Sequence, residues 1–242
     1  MLACILATAS QLAVANGPRF EVASVRPSAA GTRGILYHLP GDRLKVHGFT
    51  LLNLLSYAWD IPDGQIEGLP KWATTDHFDI EATPESGPSE PSKELESSRK
   101  KEMTRNLLAE RFALTAHIQQ RDVPAYSLLV AKNGPKIRRN TGAEYHIHRG
   151  KMSVDFQKVS MPALAKFLSA NVRSDIGRML FDKTDLPGEF DFKLEWAPLR
   201  AAANSDLPSI FGAVEQLGLK LPPEHGAARF LVVAHVKPPS EN

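Results

Sequence analysis

The feature that most restricts how this chain can fold is its self-similarity. Phe49-Thr50-Leu51-Leu52-Asn53-Leu54 lies against Val159-Ser160-Met161-Pro162-Ala163-Leu164, with a hydroxyl fit to cap a helix at the same place in both. Leu69-Pro70 precedes Phe78-Asp79-Ile80, as Leu186-Pro187 precedes Phe190-Asp191-Phe192. Arg111-Phe112-Ala113-Leu114-Thr115 matches Gln216-Leu217-Gly218-Leu219-Lys220, and a polar turn and an apolar strand follow each. Together these phrases spell helix–strand–strand four times, in two related halves of about a hundred residues each. Chance recurrence in an α+β chain is the competing account. The expected fold is α+β: two pseudo-equivalent halves, antiparallel sheets, and helices on one face. The halves are read as residues 18–135 and 136–242.

Hydrophobic periodicity places the elements. Phe20–Val25 alternates as a half-buried strand, and Leu44, Val46 and Phe49 continue strand spacing up to Thr50. Leu51, Leu54, Leu55 and Ala58 recur at helical spacing until Pro62-Asp63-Gly64. Thr83–Ser98 holds three prolines, five serines and four glutamates against one lysine, which reads as a flexible linker. A helix is predicted from about Arg99 to Phe112, then two strands, 113–120 and 125–131, parted by Arg121-Asp122-Val123-Pro124. Ser160 caps the next helix, and Arg229–Val236 is a strongly apolar strand.

Residues 1–17 read as a signal peptide. No charge occurs before Arg19, and Ala13-Val14-Ala15 has the small-x-small pattern of a cleavage site, although the basic start usual for such a segment is missing. Leu2-Ala3-Cys4 is a poor lipoprotein box, because Ile5-Leu6 are too apolar for the tether. Export to the periplasm or beyond is therefore expected. With one cysteine in the chain, a disulfide framework and a cysteine-built metal site are excluded. No run is long and apolar enough to span a bilayer as a helix.

Several phrases together carry a family resemblance. They are Phe20-Glu21-Val22-Ala23-Ser24-Val25-Arg26-Pro27-Ser28, Gln65-Ile66-Glu67-Gly68-Leu69-Pro70-Lys71-Trp72, Leu107-Leu108-Ala109-Glu110-Arg111-Phe112, Val130-Ala131-Lys132-Asn133-Gly134-Pro135-Lys136, Asp182–Phe192 and Pro238-Pro239-Ser240-Glu241-Asn242. The chain resembles a soil-associated bacterial family of unknown function, expanded in acidobacteria such as Solibacter. A related domain is appended to some antirepressor-type membrane metallopeptidases. The resemblance implies an exported bacterial location and supplies no activity, substrate or site residue. Leu69 and Asp185 stand where the family often carries glycine.

The chain has no nucleophile elbow, phosphate-binding glycine loop, dinucleotide fingerprint or His-Glu-x-x-His. His146 and His148 would share a strand face with Glu144 as a weak metal set, opposed by Arg149 and Lys151; no cofactor is expected. Trp72 and Gln65 are weak binding candidates, and Trp59 and Trp196 read as packing residues. Asp182/Asp185 and Asp191/Glu195 could be acid–base pairs, but Asp182–Gly188 reads better as a turn capped by carboxylates. Asp79 and Asp191 hold equivalent positions, and a residue present in both halves is more often structural than catalytic. Lys136, Arg138, Arg139, Arg149 and Lys151 against Glu144 make a basic stretch of net +4, without the interleaved aromatics of a nucleic-acid surface. The favoured function is a non-catalytic binding module whose partner is another envelope protein or a peptide. The alternatives are a hydrolase built on His146/His148 or the Asp182–Asp191 region, and a purely structural envelope component.

Overall fold

The computed structural model describes residues 17–29, 32, 34–39, 43–84, 92–142, 144–200 and 205–239. The leader reading, the lipoprotein box at Cys4 and residues 85–91 of the linker lie outside these residues. The chain divides into two compact units, one formed by 1–120 with 229–242 and the other by 121–228.

In the first unit, β1 (Phe20–Pro27), β2 (Ile35–His38), β3 (Leu44–Thr50) and β5 (His77–Pro84) make an antiparallel sheet of order β1-β5-β3-β2. Alternation along β3 buries Leu44 and Val46 and leaves Lys45 and His47 on the other face. The strand runs directly into α1 (Leu51–Trp59), because Thr50 accepts from Asn53 N while the Asn53 side chain accepts from Thr50 N. Leu51, Leu54 and Leu55 are wholly buried, each contributing about 1.5–3 kcal/mol. α2 (Trp72–Thr75) follows β4 (Ile66–Glu67), and α3 (Lys93–Arg111) buries Met103, Leu107 and Leu108. β6 (Thr115–Val130) leaves α3 through Ala113, whose φ is 47°. The core is completed from the far end of the chain: β13 (Pro223–His235) runs parallel to β4 with Leu231 opposite Ile66, and contributes buried Leu231 and Val233.

The second unit contains β7 (Arg138–Arg139), β8 (His146–Arg149), β9 (Ser153–Val159) and β11 (Phe190–Glu195), antiparallel in the order β7-β11-β9-β8. α4 (Met161–Asn171) starts at Ser160, whose hydroxyl accepts from Ala163 N. α5 (Arg173–Ile176), β10 (Met179–Asp182), α6 (Ile210–Gln216) and β12 (Leu219–Lys220) complete the unit. β10 runs parallel to residues 125–128 of β6, and β12 pairs antiparallel with 129–130. A core separate from the first contains Leu128, Phe156, Leu164, Leu168, Leu194 and Val214.

The α+β class holds, and three expectations are corrected. The sheets are not all antiparallel, since β4–β13 and β10–β6 are parallel pairs; hydrophobic alternation encodes which face is buried, not a partner's direction. The strands read as 113–120 and 125–131 are one, because proline's fixed φ is compatible with extended backbone at Pro124. The linker reading of 83–98 fails at both ends. β5 continues to Pro84, and α3 begins at Lys93, where Ser92 accepts from Leu95 N and Glu94 and Glu96 complement the first turn. None of the described helices is long and apolar enough to cross a membrane.

Candidate functional site

Two polar constellations, around Asp79 and Asp191, lie on strands that also carry buried side chains. In β5, Phe78 and Ile80 point into the core, so Asp79 between them points out. Opposite it the β3–β5 register shifts between Val46 and Phe49, and His47-Gly48 bulges out of the ladder. Gly48 takes φ 65°, and its N–H donates to Asp79 Oδ1 at 2.9 Å. The same oxygen accepts from Ser28 Oγ and lies 2.8 Å from His47 Nδ1. Burial pulls the Asp79 pKa upward, but the hydrogen bonds from Ser28, Gly48 and His47 outweigh it, and the carboxyl sits below its ordinary 3.8.

Asp191 in β11 has the same surroundings in the second unit. The β11–β9 register shifts between Phe190 and Phe192, Lys158 holds φ 55°, and Lys158 N donates to Asp191 Oδ1 at 2.9 Å. Asn140 Nδ2 donates to that oxygen at 2.6 Å, and Arg138 Nη2 lies 2.8 Å from Oδ2. The Asn140 hydrogen bond, then that of Lys158 N, lower the pKa against a smaller effect of burial, and Arg138 lowers it further. Backbone bonds also correspond: Ser28 N donates to His77 O, and Asn140 N to Glu189 O. In each unit the carboxylate satisfies an N–H that the bulge removes from the ladder. A carboxylate engaged in this way is a backbone clamp and a poor proton acceptor.

Beside Asp191 opens a cleft of about 360 Å³ lined by Arg138, Arg139, Asn140, Thr141, Gly142, Gln157 and Asp191. Much of the basic stretch serves the fold. Arg138 pairs with Asp191, Arg139 donates to Pro187 O, and Arg149 donates to Asn171 Oδ1 and lies 5.1 Å over the Phe167 ring.

Gln65 is buried, and its Nε2 donates to Arg229 O at 2.9 Å. Trp72 is half-buried, stacked on Phe112 and edge-on to Phe78, with ring centroids 6.4 Å away in each case. Both are tied into the first unit's interior. His146 and His148 are exposed on β8 with parallel rings 6.3 Å apart, facing Gln157 and Asp155 across the ladder. Glu144 is exposed just before that strand. Among the described residues no group of three or more His, Cys, Asp and Glu is arranged to hold a metal ion. Asp182 Oδ1 accepts from Thr184 N and Thr184 Oγ1, which is turn capping, and Trp196 Nε1 donates to Asp175 Oδ2. Asp185 takes φ 55°, a left-handed residue within this turn.

Ser28, His47, Asn140 and Arg138 were missed as partners of the two aspartates. A signal was present: Arg26-Pro27-Ser28 and Arg138-Arg139-Asn140 are separated by the same 112 positions as Asp79 and Asp191.

The model of a family described as a protein of unknown function, DUF3738, matches residues 52–236. The chain belongs to this family. The DUF3738 match opens inside α1, closes just after β13, and takes in Asp79, Asp191 and the Asp191 partners, while Ser28, His47 and Gly48 precede it. No curated protein and no solved structure matches the chain.

Proposed function

We propose that this DUF3738 protein is an exported interaction module of the bacterial envelope, built from two copies of one α+β repeat and acting by binding. The duplication reading draws support from the strand orders β1-β5-β3-β2 and β7-β11-β9-β8 and from the two aspartate clamps. Left-handed residues also correspond: Gly48 with Lys158, Gly68 with Asp185, Ala113 with Gly218. The envelope location rests on the N-terminal segment and on the resemblance to exported soil-bacterial proteins whose domain is appended to membrane metallopeptidases.

The observation that carries the binding reading is the open face of the first sheet. β2 lies at its edge and exposes Ile35 and Tyr37, 44% and 39% accessible, in register with His47 and Lys45. An edge strand with large apolar side chains on its open face suits an extended peptide that adds as a further strand. The Asp79 and Asp191 carboxylates, the most heavily bonded acids on the two open faces, already hold backbone and so favour binding over acid–base chemistry.

Selection of a displayed peptide library on the immobilised full chain tests this. Clones of extended, alternating apolar sequence should be enriched on the wild type and lost on Ile35→Lys/Tyr37→Asp, with circular dichroism unchanged. Equal enrichment on that variant overturns the reading. So does turnover in a broad hydrolase panel that His146→Gln/His148→Gln abolishes.

A further inference from the structure

We infer that the slot which β13 fills in the first unit also takes the same strand from a second copy of this chain. The inference stands apart from the binding reading, since it needs neither the open sheet face nor the duplication.

β13 lies between β6 and β4 in its sheet. Its second half and the residues just after it contact residues 1–120 at several points. Leu231 and Val232 pair with Ile66 and Glu67, Arg229 O accepts from Gln65 Nε2, and Lys237 N donates to Phe112 O. Leu231 and Val233 enter the first unit's core at 0% and 5% exposure. At Gly68, φ 81°, a Cβ would stand 2.3 Å from Val233 O, so this backbone is shaped to a strand lying against it. Without β13, β4 and β6 would be bare edges beside an open apolar core, a surface that pairs readily with a matching strand.

Each of these contacts is made by residues 229–237, whereas residues 223–228 of the same strand belong to the other unit, where Glu224 pairs with Lys183 and His225 with Asp122, so exchange opens β13 at Arg229. The final segment is therefore a guest of the first unit, delivered through the rest of the chain. At low concentration a chain's own segment arrives first, because tethering raises its effective concentration. When many chains fold together, a neighbour offers an identical segment, and reciprocal exchange leaves no slot empty in either copy. The dimer makes the native contacts, with residues 229–237 of each chain completing 1–120 of the other.

Cysteines placed at the paired positions 67 and 232 read the exchange directly, in a Cys4→Ser background. Neighbouring Cα atoms of paired strands lie within disulfide range, and the Glu67→Cys/Val232→Cys chain closes its own bridge as a reference. Chains carrying Glu67→Cys alone and Val232→Cys alone are mixed, either folded or after joint unfolding and refolding, and then oxidised. Joint refolding should give a disulfide-linked heterodimer, and mixing folded chains should not. At low conversion the dimer-to-monomer ratio should double when the refolding concentration doubles, by mass action. Unlinked chains after joint refolding at every concentration overturn the inference, as does cysteine-free protein that stays monomeric by sedimentation through the same series.

Discussion

Lys158 is the least expected residue of the aspartate clamps. It holds φ 55°, a left-handed conformation that costs an ordinary residue about 1–2 kcal/mol, where Gly48 holds φ 65° with little cost. Glycine's greater freedom in the unfolded chain offsets about 0.4–1 kcal/mol of that difference. Lys158→Gly should therefore stabilise the protein by about 0.5–1 kcal/mol in urea unfolding; an unchanged or lower midpoint would show that the lysine side chain compensates locally. Asp191 gives a prediction of different form. Its folded pKa lies below its ordinary 3.8, so its stabilising effect is complete above that value and is lost as pH falls through the folded pKa. Asp191→Asn should lower the urea midpoint at neutral pH, and its deficit should shrink between about pH 5 and pH 2. A deficit independent of pH would mean that the amide's shape, and not the carboxylate's charge, matters there. That Asp79 and Asp191 stand in similar sequence phrases, Phe78-Asp79-Ile80 and Phe190-Asp191-Phe192, could be read from the sequence. Ser28 and Asn140 stood at that same 112-residue spacing, but the backbone partners could not be read, because a bulge is set by register between strands and leaves no local pattern.

At the scale of elements, legibility follows the range of the cause. The starts of α1 and α4 were placed to the residue by Thr50 and Ser160, since a cap is a contact over three positions. Thr50→Ala removes the acceptor for Asn53 N and should cost about 1–2 kcal/mol, measured by urea unfolding against Thr50→Ser, which keeps the acceptor. α3 began earlier than expected because composition dominated the reading of Thr83–Ser98, while Ser92 and the glutamates after it form an adequate N-terminus. The parallel strands β4 and β10 are short, and no local rule names their partners. Gly68 exposes that limit. Its sequence neighbours suggest only a turn, yet its missing side chain is what admits the Val233 carbonyl. Gly68→Ala combines a positive φ with a collision against backbone and should cost about 3 kcal/mol, from about 1–2 for conformation and 1–3 for overpacking. The comparison is Lys71→Ala, an exposed change nearby that should be near neutral. A mild effect at Gly68 would mean that β13 gives way easily.

For the whole molecule, sequence order and structural membership part company. Read along the chain, Leu231 belongs to the second half and Leu128 to the end of the first. In the structure Leu231 shares a core with Val46, Leu55 and Phe112, and Leu128 shares the other with Phe156, Leu168 and Val214. Both are fully buried, and truncation to alanine should cost about 2–5 kcal/mol at either site. The distinction lies in where the loss is felt, because local opening follows cooperative units and not chain position. Under native-state hydrogen exchange, Leu231→Ala should accelerate amides of β3, α1 and β5, more than a hundred residues upstream, and leave β9 and α4 near their wild-type rates. Leu128→Ala should do the reverse, weakening β9, β11 and α4. A uniform loss of protection in both variants would make the two cores one cooperative unit. Loss confined to sequence neighbours of each substitution would contradict the discontinuous first unit, and with it the premise that the final strand is a separable guest.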